Sequence, residues 1–240
     1  MIHLLHLYPQ ELNLYGDHGN ILCLKQRLVW RHIPVQIDTY EAGAPFPKQV
    51  DLIFGGGGQD SGQAKIIDDL LKQKNTLKKL LADDVPALLV CGSYQLFGRF
   101  FASEHGSIAG LGLLDLTTRA GESRLVGNLH VQSERFGTLV GYENHAGRTK
   151  LGRDLVPLGQ VTLGAGNNGE DEKEGAIFRN CIGTYLHGPL LPKNPRLADW
   201  LLTQAIRHAD PTNKKHYLPL KPLDDSLENL ARDAALKRPR

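Results

Sequence analysis

Apolar runs alternate with helically spaced stretches along the first part of the chain, in the manner of a parallel sheet wrapped by helices. Ile2 to Leu7 reads as a strand, Asn20 to Arg31 has helical spacing, Val35 to Thr39 alternates, and Leu52 to Phe54 is a short buried strand ending in glycines. Ala64 to Ala82 sets Ile66, Ile67, Leu70, Leu71, Leu77, Leu80 and Leu81 at helix period and predicts one helix. A further apolar strand, Val85 to Val90, feeds Cys91 and then Gly92-Ser-Tyr-Gln-Leu-Phe-Gly98, which opens a helix. From about Leu113 to Tyr185 the pattern changes to short β-like runs separated by Gly and Asn, which predicts a continuation of the sheet with antiparallel additions. Pro195 to Ala209 is the last strong helix of the body, with Leu197, Trp200, Leu201, Leu202 and Ile206 on one face. Beyond Pro211 a polar connector leads to an amphipathic stretch, Ser226 to Leu236, and a basic end. The expected fold class is therefore α/β, a mostly parallel central sheet flanked by helices, with residues 1–210 as one domain and 211–240 as a C-terminal extension.

Composition narrows the setting. A chain of 240 residues with 41% hydrophobic content can bury a sizeable core. The formal net charge of +2 makes no case for nucleic-acid binding. No stretch is long enough to span a bilayer, and the amino terminus reads as a first strand rather than a signal peptide, so a cytoplasmic protein is expected. Three widely spaced cysteines argue against a disulfide framework, and no ligand cluster suggests a metal.

Cys91 is the residue on which chemistry turns. A strand that breaks sharply into a helix at a thiol is a nucleophile elbow: the turn lifts the side chain clear of the sheet, and the positive end of the helix favours thiolate. Cys23, within an apolar helical pattern, and Cys181, within a strand-like run, read instead as small buried hydrophobes. Four glycines, Gly55 to Gly58, follow the strand ending at Phe54 and allow close backbone approach to a ligand. The Gly-Lys-Ser/Thr ending of a phosphate loop is missing. In a doubly wound sheet this loop shares a crevice with Cys91, so N–H groups of Gly57 and Gly92 are candidates for an oxyanion hole.

A base is needed as well. Of the ten histidines, His3, His6, His32, His105, His208 and His216 read as surface or packing residues. His187 differs, because it closes the run Cys181 to Leu186 and precedes the turn Gly188-Pro189, where a crevice at the strand ends can join it to Cys91. His145, in Gly141-Tyr-Glu-Asn-His-Ala-Gly147, is the rival and is assigned a structural or substrate-side role.

Val90-Cys-Gly-Ser-Tyr-Gln-Leu-Phe-Gly98 and Gly183-Thr-Tyr-Leu-His-Gly188 together resemble the class I (triad) glutamine amidotransferases of the cobyric acid synthase branch. Leu14-Tyr-Gly-Asp-His-Gly-Asn20, Gly55-Gly-Gly-Gly-Gln-Asp60, Arg124-Leu-Val-Gly-Asn128 and Gly141-Tyr-Glu-Asn-His-Ala-Gly-Arg-Thr149 resemble more closely the glutaminase subunits of lipid II isoglutaminyl synthases. The resemblance runs from about residue 3 to about residue 208. It implies that the chain hydrolyses the side-chain amide of glutamine and forms a heterodimer with a Mur ligase-like partner, MurT. With ATP and magnesium on its own side, that partner would amidate the α-carboxyl of D-glutamate in lipid II; no cofactor is implied for this chain. By motif match Cys91 is the nucleophile, His187 the base and Arg124 the ligand of the glutamine carboxylate, although Arg124 by itself reads as a solvated charge at a strand edge.

Two positions depart from the broader class. Leu89 stands where many relatives have glycine, and Pro189 stands where many have the glutamate that completes the triad. Proline cannot orient an imidazole, so the acid must come from elsewhere: from the partner subunit, or from Asp17, whose segment follows the first strand and whose alternative role is helix capping. A non-catalytic binding subunit and a peptidase-like or DJ-1-like thiol hydrolase are the competing readings.

Overall fold

The computed structural model describes residues 1–103, 106–210 and 220–239. His105, His216 and residues 211–219 of the polar connector lie outside the described residues.

The first half winds a parallel sheet. In chain order come β1 (Ile2–Leu7), α1 (His18–Val29), β2 (Val35–Tyr40), β3 (Leu52–Gly55), α2 (Asp60–Lys72), α3 (Lys74–Ala82), β4 (Ala87–Val90) and α4 (Gly92–Phe97). Strands β3 and β4 are buried at every position, as expected where a parallel sheet is covered on both faces. The helix expected across 64–82 is two helices, separated by a turn at Gln73 (φ −85°, ψ 0°). Ile66, Leu70, Leu77 and Leu81 are buried on both sides of the break at a spacing that stays in phase, so periodicity alone does not reveal it.

The second half contains β5 (Phe100–Ser103), β6 (Gly106–Ala109), β7 (Leu116–Ser133), β8 (Gly137–Leu151), β9 (Gly159–Leu163), β10 (Lys173–Glu174), β11 (Ala176–Phe178) and β12 (Cys181–Thr184), then α5 (Pro195–Ala209) and α6 (Ser226–Leu236). Only β11 and β12 join the first sheet, whose order is β11-β12-β4-β3-β1-β2; β11 alone is antiparallel. The others build a separate sheet, β10-β9-β7-β5-β6 with β8 paired to β7, antiparallel except for β5 with β7. This corrects the expected continuation of a single sheet: short polar-apolar alternation identifies strands but not their partners.

Register positions the site. Leu7 pairs with Gly55, Gly55 with Leu89, and Thr184 with Val90, so four strands end together and release the segments carrying Asp17, the glycine run, Cys91 and His187 along one edge. Leu89 is fully buried in this ladder opposite Gly55.

The C-terminal helix is tied to the body by charge. The buried guanidinium of Arg27 on α1 donates to Asp199 of α5 and to Asp225 just before α6, while Arg31 donates to Asp199 and to the carbonyl of Lys221. Asn128 also donates to the carbonyl of Pro239. No helix among the described residues is long and apolar enough to cross a membrane.

Candidate active site

Cys91 has φ +47° and ψ −99°, a conformation that a non-glycine residue rarely adopts and that marks the sharp turn between β4 and α4. Its N–H donates to the carbonyl of Thr184 at 2.8 Å, which locks the elbow to the strand leading to His187. Burial pushes the Cys23 and Cys181 thiols up to about 12, so neither supplies thiolate at neutral pH.

His187 is fully buried, and its Nδ1 lies 3.3 Å from Oδ2 of the equally buried Asp17. Burial works against a charged imidazole here, yet the Cys91 thiolate and the Asp17 carboxylate more than offset it and raise the His187 pKa to about 10. The ring is thus favoured as imidazolium. Nε2 is buried without a hydrogen-bond partner among the described residues. Tyr15, held at φ +54° in the turn Leu14–Gly16, packs edge-on against the imidazole with centroids 5.0 Å apart.

Asp17 sits at the start of α1 but makes no side-chain capping bond to it. Its Oδ2 accepts the N–H of Gly57 at 2.7 Å instead. Pro189, in the position of the missing glutamate, packs on Gly19, where a Cβ would lie 2.4 Å from the proline Cγ. Among the described residues the carboxylate facing His187 is thus Asp17, on the first strand's exit loop.

Gly57 needs correction as an oxyanion donor, because its N–H is already given to Asp17. It is better described as a spacer: a Cβ there would stand 2.6 Å from His187 Cε1, 3.1 Å from Asp17 Oδ2 and 3.4 Å from Cys91 Cβ. The next residue, Gly58, lines the cavity, and its nitrogen is 2.8 Å from where a Cβ on Gly92 would be. Gly92 begins α4, where the first N–H has no intrahelical acceptor. Four successive glycines carry no marker in the sequence for which N–H faces inward.

A cavity of about 450 Å³ opens beside Cys91, lined among others by Tyr15, Gly58, Gln95, Arg124, Asn144 and His145. Arg124, at the rim, donates from Nε to Oδ1 of Asn144 and from Nη2 to the Asn144 carbonyl, both at 2.8 Å. Asn144 thus aims the guanidinium. His145 is buried, shares Nδ1 with the Gly147 carbonyl at 2.8 Å and stacks on Tyr185 at 3.6 Å. Burial lowers its pKa despite Glu143 nearby, so it presents a neutral ring in the cavity wall. Gln63 and Gln95, which the sequence reading passed over, link through Nε2 to Oε1 at 3.0 Å, and Gln95 donates to the Tyr185 hydroxyl at 3.1 Å. Gln95 lies within the motif after Cys91, but only the folded arrangement of α4 shows that it lines the cavity.

A parallel sheet with a thiol elbow, an imidazole and a carboxylate at its carboxyl-end edge defines the class I glutamine amidotransferase architecture. A glutamine amidotransferase from Thermotoga maritima superposes with a TM-score of 0.53 at 14% identity, covering 98% of this chain and 93% of that one. The model of the CobB/CobQ-like glutamine amidotransferase domain matches residues 3–195, and the chain belongs to that family. It is 40% identical to subunit GatD of the glutamine-hydrolysing lipid II isoglutaminyl synthase of Staphylococcus aureus, over 97% of this chain and 94% of the relative. The corresponding subunit of Streptococcus pneumoniae is 39% identical over 86% of this chain and 81% of the relative.

Proposed function

We infer that this chain is the glutaminase subunit of a lipid II isoglutaminyl synthase, hydrolysing glutamine through a Cys91 thioester. The observation that carries the chemistry is the convergence of Cys91, His187 and Asp17 around Gly57, beside a cavity with an aimed arginine at its rim; the close likeness to the two lipid II isoglutaminyl synthase subunits supports the choice of acceptor.

In this reading Arg124 holds the α-carboxylate of glutamine and the amide reaches Cys91. Sulfur adds to the amide carbon, and the oxygen takes up negative charge against the N–H groups of Gly58 and Gly92. Protonated His187 gives its proton to the leaving nitrogen, the C–N bond breaks, and ammonia departs from a thioester. His187 then removes a proton from water, whose oxygen attacks the thioester to release glutamate and restore the thiolate. Asp17 keeps Nδ1 protonated so that Nε2 carries the transferred proton. A Mur ligase-like partner, with ATP and magnesium, would take the ammonia to amidate the α-carboxyl of D-glutamate in the lipid II stem peptide.

A glutamine analogue with an alkylating group in place of the amide tests the reading against a binding subunit or an unrelated thiol hydrolase. Mass spectrometry should find one adduct, on Cys91, blocked by excess glutamine; an unlabelled Cys91 would overturn it. Arg124→Ala should raise KM for glutamine about 10- to 100-fold with kcat nearly unchanged, the loss of a charge-assisted contact made equally in ground and transition states. Steady-state kinetics on glutamate release decide this, and a fall in kcat alone would remove Arg124 from carboxylate binding.

A further inference from the structure

Glu174 is a fully buried carboxyl that the proposed chemistry does not use. Its Oε1 accepts the hydroxyl of Thr184 at 2.6 Å and the N–H of Tyr185 at 2.7 Å. Those two residues form the strut between the reacting groups. The Thr184 carbonyl accepts the N–H of Cys91, its hydroxyl accepts the N–H of Leu186 at 3.0 Å, and His187 follows directly. Tyr185 carries the hydroxyl shared with Gln95 and Thr149, and the ring on which His145 stacks. One carboxylate oxygen therefore grips the single stretch of backbone that connects nucleophile and base.

We propose that Glu174 is a positioning residue for the glutaminase pair, setting the approach of His187 to Cys91 by anchoring the Thr184–Tyr185 junction. The proposal rests on the reading of Cys91 and His187 as the reacting pair. An anchor of this kind must sit in the interior, where water cannot compete for its two donors, and this one, at the end of β10, is fully buried. Burial raises its pKa to about 7, against the opposing bonds from Thr184 and Tyr185, with the Glu143 carboxylate adding to the rise. Tyr94 of α4 also feels its charge. A residue serving only to fill space would be an inexpensive leucine or methionine here, since a buried carboxyl with Oε2 unpartnered is costly to maintain.

The test compares Glu174→Gln, Glu174→Ala and Thr184→Val with wild type, in the complex with the ligase partner. Two quantities are read: kcat and KM for glutamine, and the pH midpoint of Cys91 alkylation by iodoacetamide, with Cys91→Ala as blank. Gln keeps the Oε1 acceptor without the charge and should stay within about threefold of wild type, whereas Ala should lower kcat about tenfold or more with KM little changed. The Ala variant should also move the alkylation midpoint upward by about half a pH unit or more, as the thiolate loses its aligned imidazolium. Thr184→Val, close in shape, should shift the midpoint the same way by less, and it carries the test if Glu174→Ala does not fold. Unchanged kcat and midpoint in Ala and Val, or equal impairment in Gln and Ala, would overturn the proposal. If wild type releases no glutamate yet Glu174→Ala still raises the alkylation midpoint, the positioning role stands and the glutaminase reading falls.

Discussion

Replacing Cys91 with alanine should lower glutamine hydrolysis by about 10³-fold or more while leaving the fold intact, because the covalent route is lost outright. Alanine suits the site sterically: it is smaller than cysteine, and the backbone at φ +47° is no more hostile to it. Melting temperature and circular dichroism should match wild type. The informative arm adds the ligase partner and replaces glutamine with an ammonium salt. Amide formation should then persist in the variant, since only the ammonia source has been removed. Loss with both nitrogen donors would mean that Cys91 supports assembly or the acceptor reaction, and glutamate release surviving in the variant would remove it as the nucleophile.

Asp17→Asn should cost on the order of 10²-fold in kcat with native stability, from the wrong tautomer rather than a missing contact. The carboxylate now accepts from Gly57 N–H and faces His187 Nδ1. An asparagine satisfies Gly57 only by placing Oδ1 there, which turns its NH₂ toward Nδ1 and makes that nitrogen an acceptor. Nε2 is then the protonated position in the neutral ring and cannot receive a proton from water. The imidazolium also loses a stabilising negative neighbour, so its pKa should fall from about 10. The pH dependence of kcat/KM, with and without the partner, measures this. Unchanged turnover in the variant would show that the acid is supplied in trans by the partner subunit.

Much of the candidate site's geometry was legible in the chain because its parts depend on local rules. The apolar strand breaking at Cys91 and the turn after His187 are short-range features, and α5 and α6 fall where periodicity and the flanking proline and serine place them. The two-helix division at Gln73 was hidden by an unbroken apolar phase. The second sheet was hidden because strand pairing is settled by contacts distant in sequence. Asp17 was open between capping and a place beside the base, and the fold puts it in the second: the side chain makes no capping bond and reaches across 40 residues to Gly57 and 170 to His187.

The order of residues alone therefore determined the α/β class and the elbow, and singled out Cys91 and His187 as candidates, since helix period, strand runs and turn chemistry act over a few neighbours. Tertiary structure alone placed Asp17 against His187, set Gly57 between them and Cys91 with Gly58 lining the cavity, and put Glu174 beneath the Thr184–Tyr185 junction. Each of these depends on register and burial, which arise only when strands far apart in the chain are brought side by side.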